Sequence, residues 1–225
     1  MRVILSTAYL AILLLAAPTY ATPPVSYKVD DSKATERVSI QTVSVDAVAG
    51  MDSKAIKTVN VALKTASAAF ERESKQCSAS AQGHLWGYRL AVEKVLLSKK
   101  YLSVVFSKST VCAGSPNIEK EARVFLLSTG DLVRSKALFK QLFPAAKLTP
   151  SVSNNKELIG LDEDMIETMI DDSKVILKTH DSRCDFYLKN ISYHIWVDDQ
   201  NLILFPEFIQ PNSFCQKEYL LRISH

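Results

Sequence analysis

Four cysteines, Cys77, Cys112, Cys184 and Cys215, follow a leader-like N-terminus, and no other feature bounds the fold as tightly. An even number in an exported chain argues for two disulfides, because the compartment is oxidising. Four cysteines allow three pairings. The two local ones, Cys77 with Cys112 and Cys184 with Cys215, are preferred, since each closes a loop within its own half of the chain. A loop of about 30 to 35 residues is worth roughly 3.5 to 4 kcal/mol in the chain-entropy treatment. The cysteines are widely separated, with no C-x-x-C and no histidine at ligand spacing, so neither a metal centre nor a cofactor is expected.

The leader consists of Arg2, an apolar run over residues 3–17, and the small-x-small signature Thr19-Tyr20-Ala21. It reads as a signal peptide spanning residues 1–21, too short and wrongly flanked for a membrane span. Nothing after Ala21 approaches about 18 consecutive apolar residues, so no membrane association is expected after cleavage, and the location is periplasmic or secreted. The net charge is +3, and the lysines are scattered rather than massed in a stripe, which disfavours nucleic acid as a partner.

Periodicity divides the rest. Residues 26–45 alternate apolar and polar in two bursts, with a slip between Ile40 and Val43 that reads as a bulge between half-buried strand segments. The period then lengthens: Ile56, Val59, Leu63, Ala66 and Phe70 share one helical face, with Asp52 or Ser53 available as the cap. Tyr88, Leu90 and Val92, a polar turn at Ser98-Lys99-Lys100, then Leu102, Val104 and Phe106 predict a hairpin. A further strand, a Thr129-Gly130 turn and a short helix opened by Ser135 follow, the helix burying Leu138, Leu142 and Phe143 before Pro144 stops it. Residues 148–157 are the linker candidate. Met165, Ile166, Met169 and Ile170 then form the apolar side of an amphipathic helix. The end of the chain, from Cys184, reads as strands around a turn at Asp198-Asp199 and a proline loop from Pro206 to Pro211. The expected class is α+β: antiparallel sheet with a long N-terminal helix, shorter helices on one face and two disulfides. A strand-helix-hairpin subdomain over 22–110 and a C-terminal subdomain over 111–225 would form one globular unit.

Few residues offer chemistry. A nucleophile at Ser115 or Cys112 would need a base from His84, His180, His194 or His225, and none of these lies in a local motif. Gly114-Ser115-Pro116 also lacks the second glycine of a nucleophile elbow. Asp198, Asp199 and Glu207 would be a glycosidase pair only if two of them left their expected turn. Asp162, Asp164 and Glu167 lack the glycine-turned loop of a calcium site. Asn190-Ile191-Ser192 matches a glycosylation acceptor but falls in a predicted strand. No enzyme is expected. Glu163, Asp164, Glu167 and Asp171, on the polar side of the amphipathic helix, are the candidate partner-binding residues, suited to a cationic protein.

The succession KAIKTVNVALKTASAAFERE, YRLAVEKVLLSKKYLSVVFSKS, a Pro-Asn turn and ARVFLLSTGDLVRSKALFKQLF resembles the exported region of RsiV-type anti-sigma factors and PdaC-type peptidoglycan deacetylases. Asn60, Pro116, Leu127, Thr129, Gly130, Leu138 and Phe139 take the motif positions, and NLILFPEF with EYLLRI resembles the closing strands. Ser115 stands where that family usually carries histidine. The resemblance does not extend to a deacetylase domain or a sigma-binding segment. It implies a sensing or binding module whose partner is a cationic cell-wall hydrolase of the lysozyme kind, to be inhibited or neutralised as by an immunity protein. The alternative is direct binding of peptidoglycan or other carbohydrate through Trp86, Tyr88, Tyr193 and Trp196.

Overall fold

The computed structural model describes residues 24–112, 114–151, 157–178, 181–208 and 212–223. The leader, His180 and His225 lie outside them, as do residues 152–156 of the linker candidate.

Two strands open the described chain, β1 (Val25–Ala34) and β2 (Val38–Val48), and helix α1 (Ser53–Ser80) follows them. The long helix is therefore not N-terminal among the described residues. Asp52 is its cap, its side chain accepting from Ala55 N at 2.7 Å. Val59, Leu63, Ala66 and Phe70 are buried as the stripe requires, and the buried face runs on through Ser74 to Cys77. Strands β3 (Gly87–Leu97), β4 (Tyr101–Cys112), β5 (Ser115–Leu126) and β6 (Leu132–Val133) complete a six-stranded sheet in sequence order. All its pairings are antiparallel except β2 with β3, because α1 carries the chain across between them. The expected division after residue 110 falls within β4, and this sheet continues to Val133.

The slip between Ile40 and Val43 has a structural cause. β2 pairs with β3 only from Val38 to Ile40, and beyond that the two diverge. Gln41 Oε1 then accepts from Val92 N at 3.0 Å. The Asn60 carboxamide of α1 accepts from Val45 N at 2.8 Å and donates to Val45 O at 2.9 Å. One helix side chain thus stands in for a neighbouring strand and satisfies backbone groups that would otherwise be lost to the ladder.

The second sheet has the order β11-β10-β9-β8-β7 and is antiparallel throughout, built from β7 (Leu148–Thr149), β8 (Ile159–Leu161), β9 (Ser192–Val197), β10 (Asn201–Pro206) and β11 (Tyr219–Arg222). The helices lie on two sheets rather than on one face. α1 covers the first sheet through Val59, Leu63 and Phe70 against Leu102, Val104 and Phe106, and the Phe70 and Phe106 rings sit 5.2 Å apart. Helix α3 (Glu163–Leu177) packs Ile166, Met169 and Ile170 into the core of the second sheet. Its Ser173 hydroxyl accepts from Leu220 N at 2.8 Å and donates to Leu220 O at 3.3 Å. Between the sheets, Ser103 on β4 donates to Val197 O at 2.9 Å and accepts from Val197 N at 3.2 Å, so the layers share a buried polar tie. With both faces covered, every residue of β9 is buried.

Two local expectations change. Helix α2 (Ser135–Leu142) buries Leu138 and Phe139, while Leu142 and Phe143 are only half-buried, and its cap residue is Arg134, so Ser135 is its first residue. The stretch after Cys184 is no strand. A helical turn at Ser182–Cys184, where Asp181 Oδ1 accepts from Arg183 N at 3.1 Å, runs into helix α4 (Asp185–Leu188). The aromatic-apolar alternation of Phe186, Tyr187 and Leu188 reflects a short helix with only Leu188 fully inside. Asn190 consequently lies exposed in the turn before β9, outside any strand.

Candidate functional site

Both local disulfides form: Cys77 joins Cys112 over 35 residues of separation, and Cys184 joins Cys215 over 31. These bonds fit an oxidising, extracytoplasmic environment. No helix among the described residues is long and apolar enough to cross a membrane. Cys112, held in its disulfide, offers no thiolate. It closes β4, opposite Ser115 at the start of β5, and Gly114 turns the chain between them at φ +85°. Pro116 lies inside β5 on a stretch that β6 does not reach, an edge where its missing N–H is no loss.

The sequence-selected acidic residues all project from α3. Glu163, Asp164, Glu167 and Asp171 are exposed. Asp162 is the cap, its carboxylate accepting from Met165 N at 3.1 Å, which explains its position without an ion. Two lysines meet this face: Lys189 pairs with Glu163 and lies 3.9 Å from Glu167, and Lys174 lies 3.4 Å from Asp171. The hydrogen bond from Lys189 holds the Glu163 carboxyl below its ordinary range. Four exposed carboxylates against two lysines leave the face acidic.

Sequence reasoning missed what borders that face. Lys189 follows α4, whose Phe186 is 74% exposed and whose Tyr187 is 37% exposed, and Phe214 beyond the disulfide is 51% exposed. Phe186 meets Tyr187 edge-on at 5.6 Å, and Tyr187 meets Phe214 edge-on at 6.2 Å. The Arg183 guanidinium stands 5.4 Å over Phe214 and is anchored by Asp181, whose carboxyl that hydrogen bond pulls down to about 2. The Cys184–Cys215 bond holds the two segments together. Reading 184–190 as strand concealed this cluster, because a strand would bury alternate rings.

The aromatic residues chosen for carbohydrate stacking are mostly elsewhere. Tyr88, Tyr193 and Trp196 are buried, and only Trp86 is half-buried, with Arg37 over its ring. Tyr193 donates to Leu188 O at 2.6 Å as a core anchor.

Of the histidines, His84 is exposed in the turn after α1, while His194 is buried between the sheets with no hydrogen-bond partner for Nε2 among the described residues. Burial pushes the His194 pKa down to about 4; Lys108 and Arg123 add to this, and Glu119 opposes it. Folded-state His194 therefore binds its proton more weakly than the unfolded chain, whose ordinary value is near 6.5. The stability this contributes is complete above pH 6.5 and is lost as pH falls from 6.5 towards 4, about 3 kcal/mol in all. Urea midpoints taken from pH 7.5 to 4 are expected to fall less steeply for His194→Gln than for the native chain. Parallel slopes would remove His194 from the acid response.

Asp198 caps its own turn, accepting from Gln200 N at 2.9 Å and Asn201 N at 2.7 Å. Glu207 is half-buried, and burial raises its pKa, with Glu119 adding to the rise. Among the described residues no group of three or more histidine, cysteine or carboxylate side chains is placed to hold a metal ion.

A second polar constellation was invisible in sequence. At the C-terminal half of α1 a cleft of about 660 Å³ opens between the helix and strands β3, β4 and β5, walled by Glu73, Tyr88, Lys108, Glu119 and the Cys77–Cys112 disulfide. Lys108 Nζ lies 2.7 Å from Glu119, 3.3 Å from Glu73 and 3.8 Å from Glu121. Burial works against its charge, but Glu119, Glu121 and Glu73 together outweigh that and hold its pKa above the ordinary lysine value. Tyr88 donates to Glu73 at 3.0 Å, and burial together with Glu73 drives its phenol well above the usual range. Lys108 is thus a fixed cation and Tyr88 a fixed neutral donor.

The chain matches no known protein-family model and no curated protein.

Proposed function

We propose that this is a non-enzymatic periplasmic or secreted binding protein that engages a cationic cell-wall hydrolase of the lysozyme kind and restrains it. The observation that carries the reading is the exposed trio Phe186, Tyr187 and Phe214 around α4, whose following residue Lys189 pairs with Glu163 on the acidic side of α3. Aromatic side chains and arginine supply most of the binding energy at protein interfaces, and here they are held by a disulfide before any partner arrives. Carboxylates at the rim add little affinity but attract a basic enzyme and speed encounter. The likeness to the RsiV and PdaC regions supports the same partner class, and two disulfides suit an exported protein that works among hydrolases.

The test is binding of the exported chain to lysozyme-type muramidases and other basic peptidoglycan hydrolases, with enzyme activity followed in parallel. Saturable binding that suppresses activity is expected. Phe186→Ala with Phe214→Ala should weaken it by about a hundredfold, mostly through faster dissociation. Lysine at positions 163, 167 and 171 should slow association and flatten its salt dependence. Failure to bind any hydrolase of this charge class would remove the reading.

A further inference from the structure

We propose that the outer edge of β1 is a self-association surface, on which a second copy of the chain pairs its own β1 antiparallel about a two-fold axis at Val29. The surface shares no residue with the α3 face and does not depend on the hydrolase reading.

β1 ends the six-stranded sheet, and among the described residues no strand lies beyond it. Residues 27–32 are all exposed, Tyr27 by 43% and Val29 by 40%. Which backbone groups face outward follows from β2. The N–H and C=O of Val45 bond Asn60 of α1 rather than β1, so Tyr27, opposite Val45, turns its own N–H and C=O away from the sheet. Alternation along the strand gives Val29 and Asp31 the same outward groups. The register breaks on either side, between Ser26 and Tyr27 and between Asp31 and Lys33. Such irregularities ordinarily spoil an edge for pairing, but here they bound a regular stretch, 27–31, whose midpoint is Val29.

Self-pairing about Val29 sets Val29 opposite Val29 and Tyr27 opposite Asp31 of the second copy, so every outward N–H and C=O of the stretch finds a partner. Lys28 of each copy then stands opposite Asp30 of the other, at the non-hydrogen-bonded positions where side chains come closest. Charge selects this register. An axis at Lys28 would set lysine against lysine, one at Asp30 would set aspartate against aspartate, and an axis nearer either end runs the pairing into an irregularity. Within its own chain Lys28 lies 4.0 Å from Asp46 on an open surface, and Asp30 has no cation beside it among the described residues. Tyr27 and Val29 lie on the other face, beside the buried Val45 and Val43 of β2. There Tyr27 comes diagonal to Val29 of the second copy, and the exposed apolar side chains cover one another.

Sedimentation of the exported chain from about 1 µM to about 1 mM, the range of weak association, tests the surface. A reversible monomer–dimer equilibrium is expected. Val29→Pro removes an N–H that the β1–β2 ladder does not use, so the monomer should keep its urea midpoint while the dimer is lost. Lys28→Asp and Asp30→Lys, each alone, set like charges opposite and should weaken association about tenfold. Mixed in equal amounts, or combined in one chain, the two substitutions restore opposite pairs and should regain it. Both positions are exposed, so the charge variants keep the test valid should Val29→Pro unfold. A chain that stays monomeric at the highest concentration, a dimer that survives Val29→Pro in a folded chain, or a mixture of charge variants that associates no better than either alone overturns the proposal.

Discussion

Gly130→Ala is expected to destabilise the protein by about 3 kcal/mol, lowering the melting temperature by roughly 10 °C for a chain of this size. Gly130 closes the turn between β5 and β6 at φ +74°, with its N–H donated to Leu126 O at 2.8 Å. That dihedral alone costs an L-residue about 1 kcal/mol. The larger part is steric. A Cβ there would lie 2.1 Å from the carbonyl oxygen of Ala55, and Ala55 is a buried residue in the first turn of α1. Backbone cannot rotate aside as a side chain does, so either the turn or the helix start must shift, and Asp52 caps that start. Gly114→Ala is the control: its φ is +85°, but nothing lies within 4 Å of a Cβ built on it. It should lose only about 1 kcal/mol. Equal losses at the two glycines would mean that the contact between turn and helix carries no weight.

Replacing Cys184 and Cys215 together by alanine is expected to cost about 4 kcal/mol, the chain-entropy value for a loop of this length. Both residues are buried, so the alanines also leave a small void. Urea unfolding of the double variant against the native chain, each with and without reductant, measures the loss. Without reductant the variant should unfold at lower urea than the native chain; reductant, which also opens the Cys77–Cys112 bond that both retain, should lower both midpoints and bring the two together. An unchanged midpoint would show that the bond contributes nothing the core does not already supply. The corresponding change at Cys77 and Cys112, with separation 35, should cost about as much. The two differ in consequence: the first frees Phe214 from Tyr187 and should weaken hydrolase binding, while the second opens the wall of the Lys108 cleft and should leave that binding intact.

Much of the architecture was legible because its signals are local. The stripe from Val59 to Phe70 depends only on helical spacing, and Asp52 caps by reaching three residues along. The β3–β4 hairpin needed only alternation on either side of Ser98-Lys99-Lys100, and Ser98 does bond both the N–H and C=O of Tyr101. The local disulfides were the preferred of three pairings because each closes a loop within its own half of the chain, and the structure forms them. Where periodicity was short or mixed, it misled. Phe186, Tyr187 and Leu188 look like part of a strand until the Asp181 turn and the Cys184 bond impose helix. Trp196 and Tyr193 looked like possible platforms because one face of a strand is commonly free, but β9 is covered on both faces.

The sequence by itself determined the α+β class, the even cysteine count that calls for two disulfides in an oxidising compartment and the acidic side of α3, all properties carried by residue type and short-range spacing; which cysteines pair was settled by the fold. Tertiary structure alone decided the rest. The aromatic trio brings residues 186 and 187 to residue 214, and the Lys108 cleft brings residue 73 to residues 108, 119 and 121. Neither grouping has a period or a motif, because charges and rings on separate elements meet only once strand register and sheet stacking have placed them.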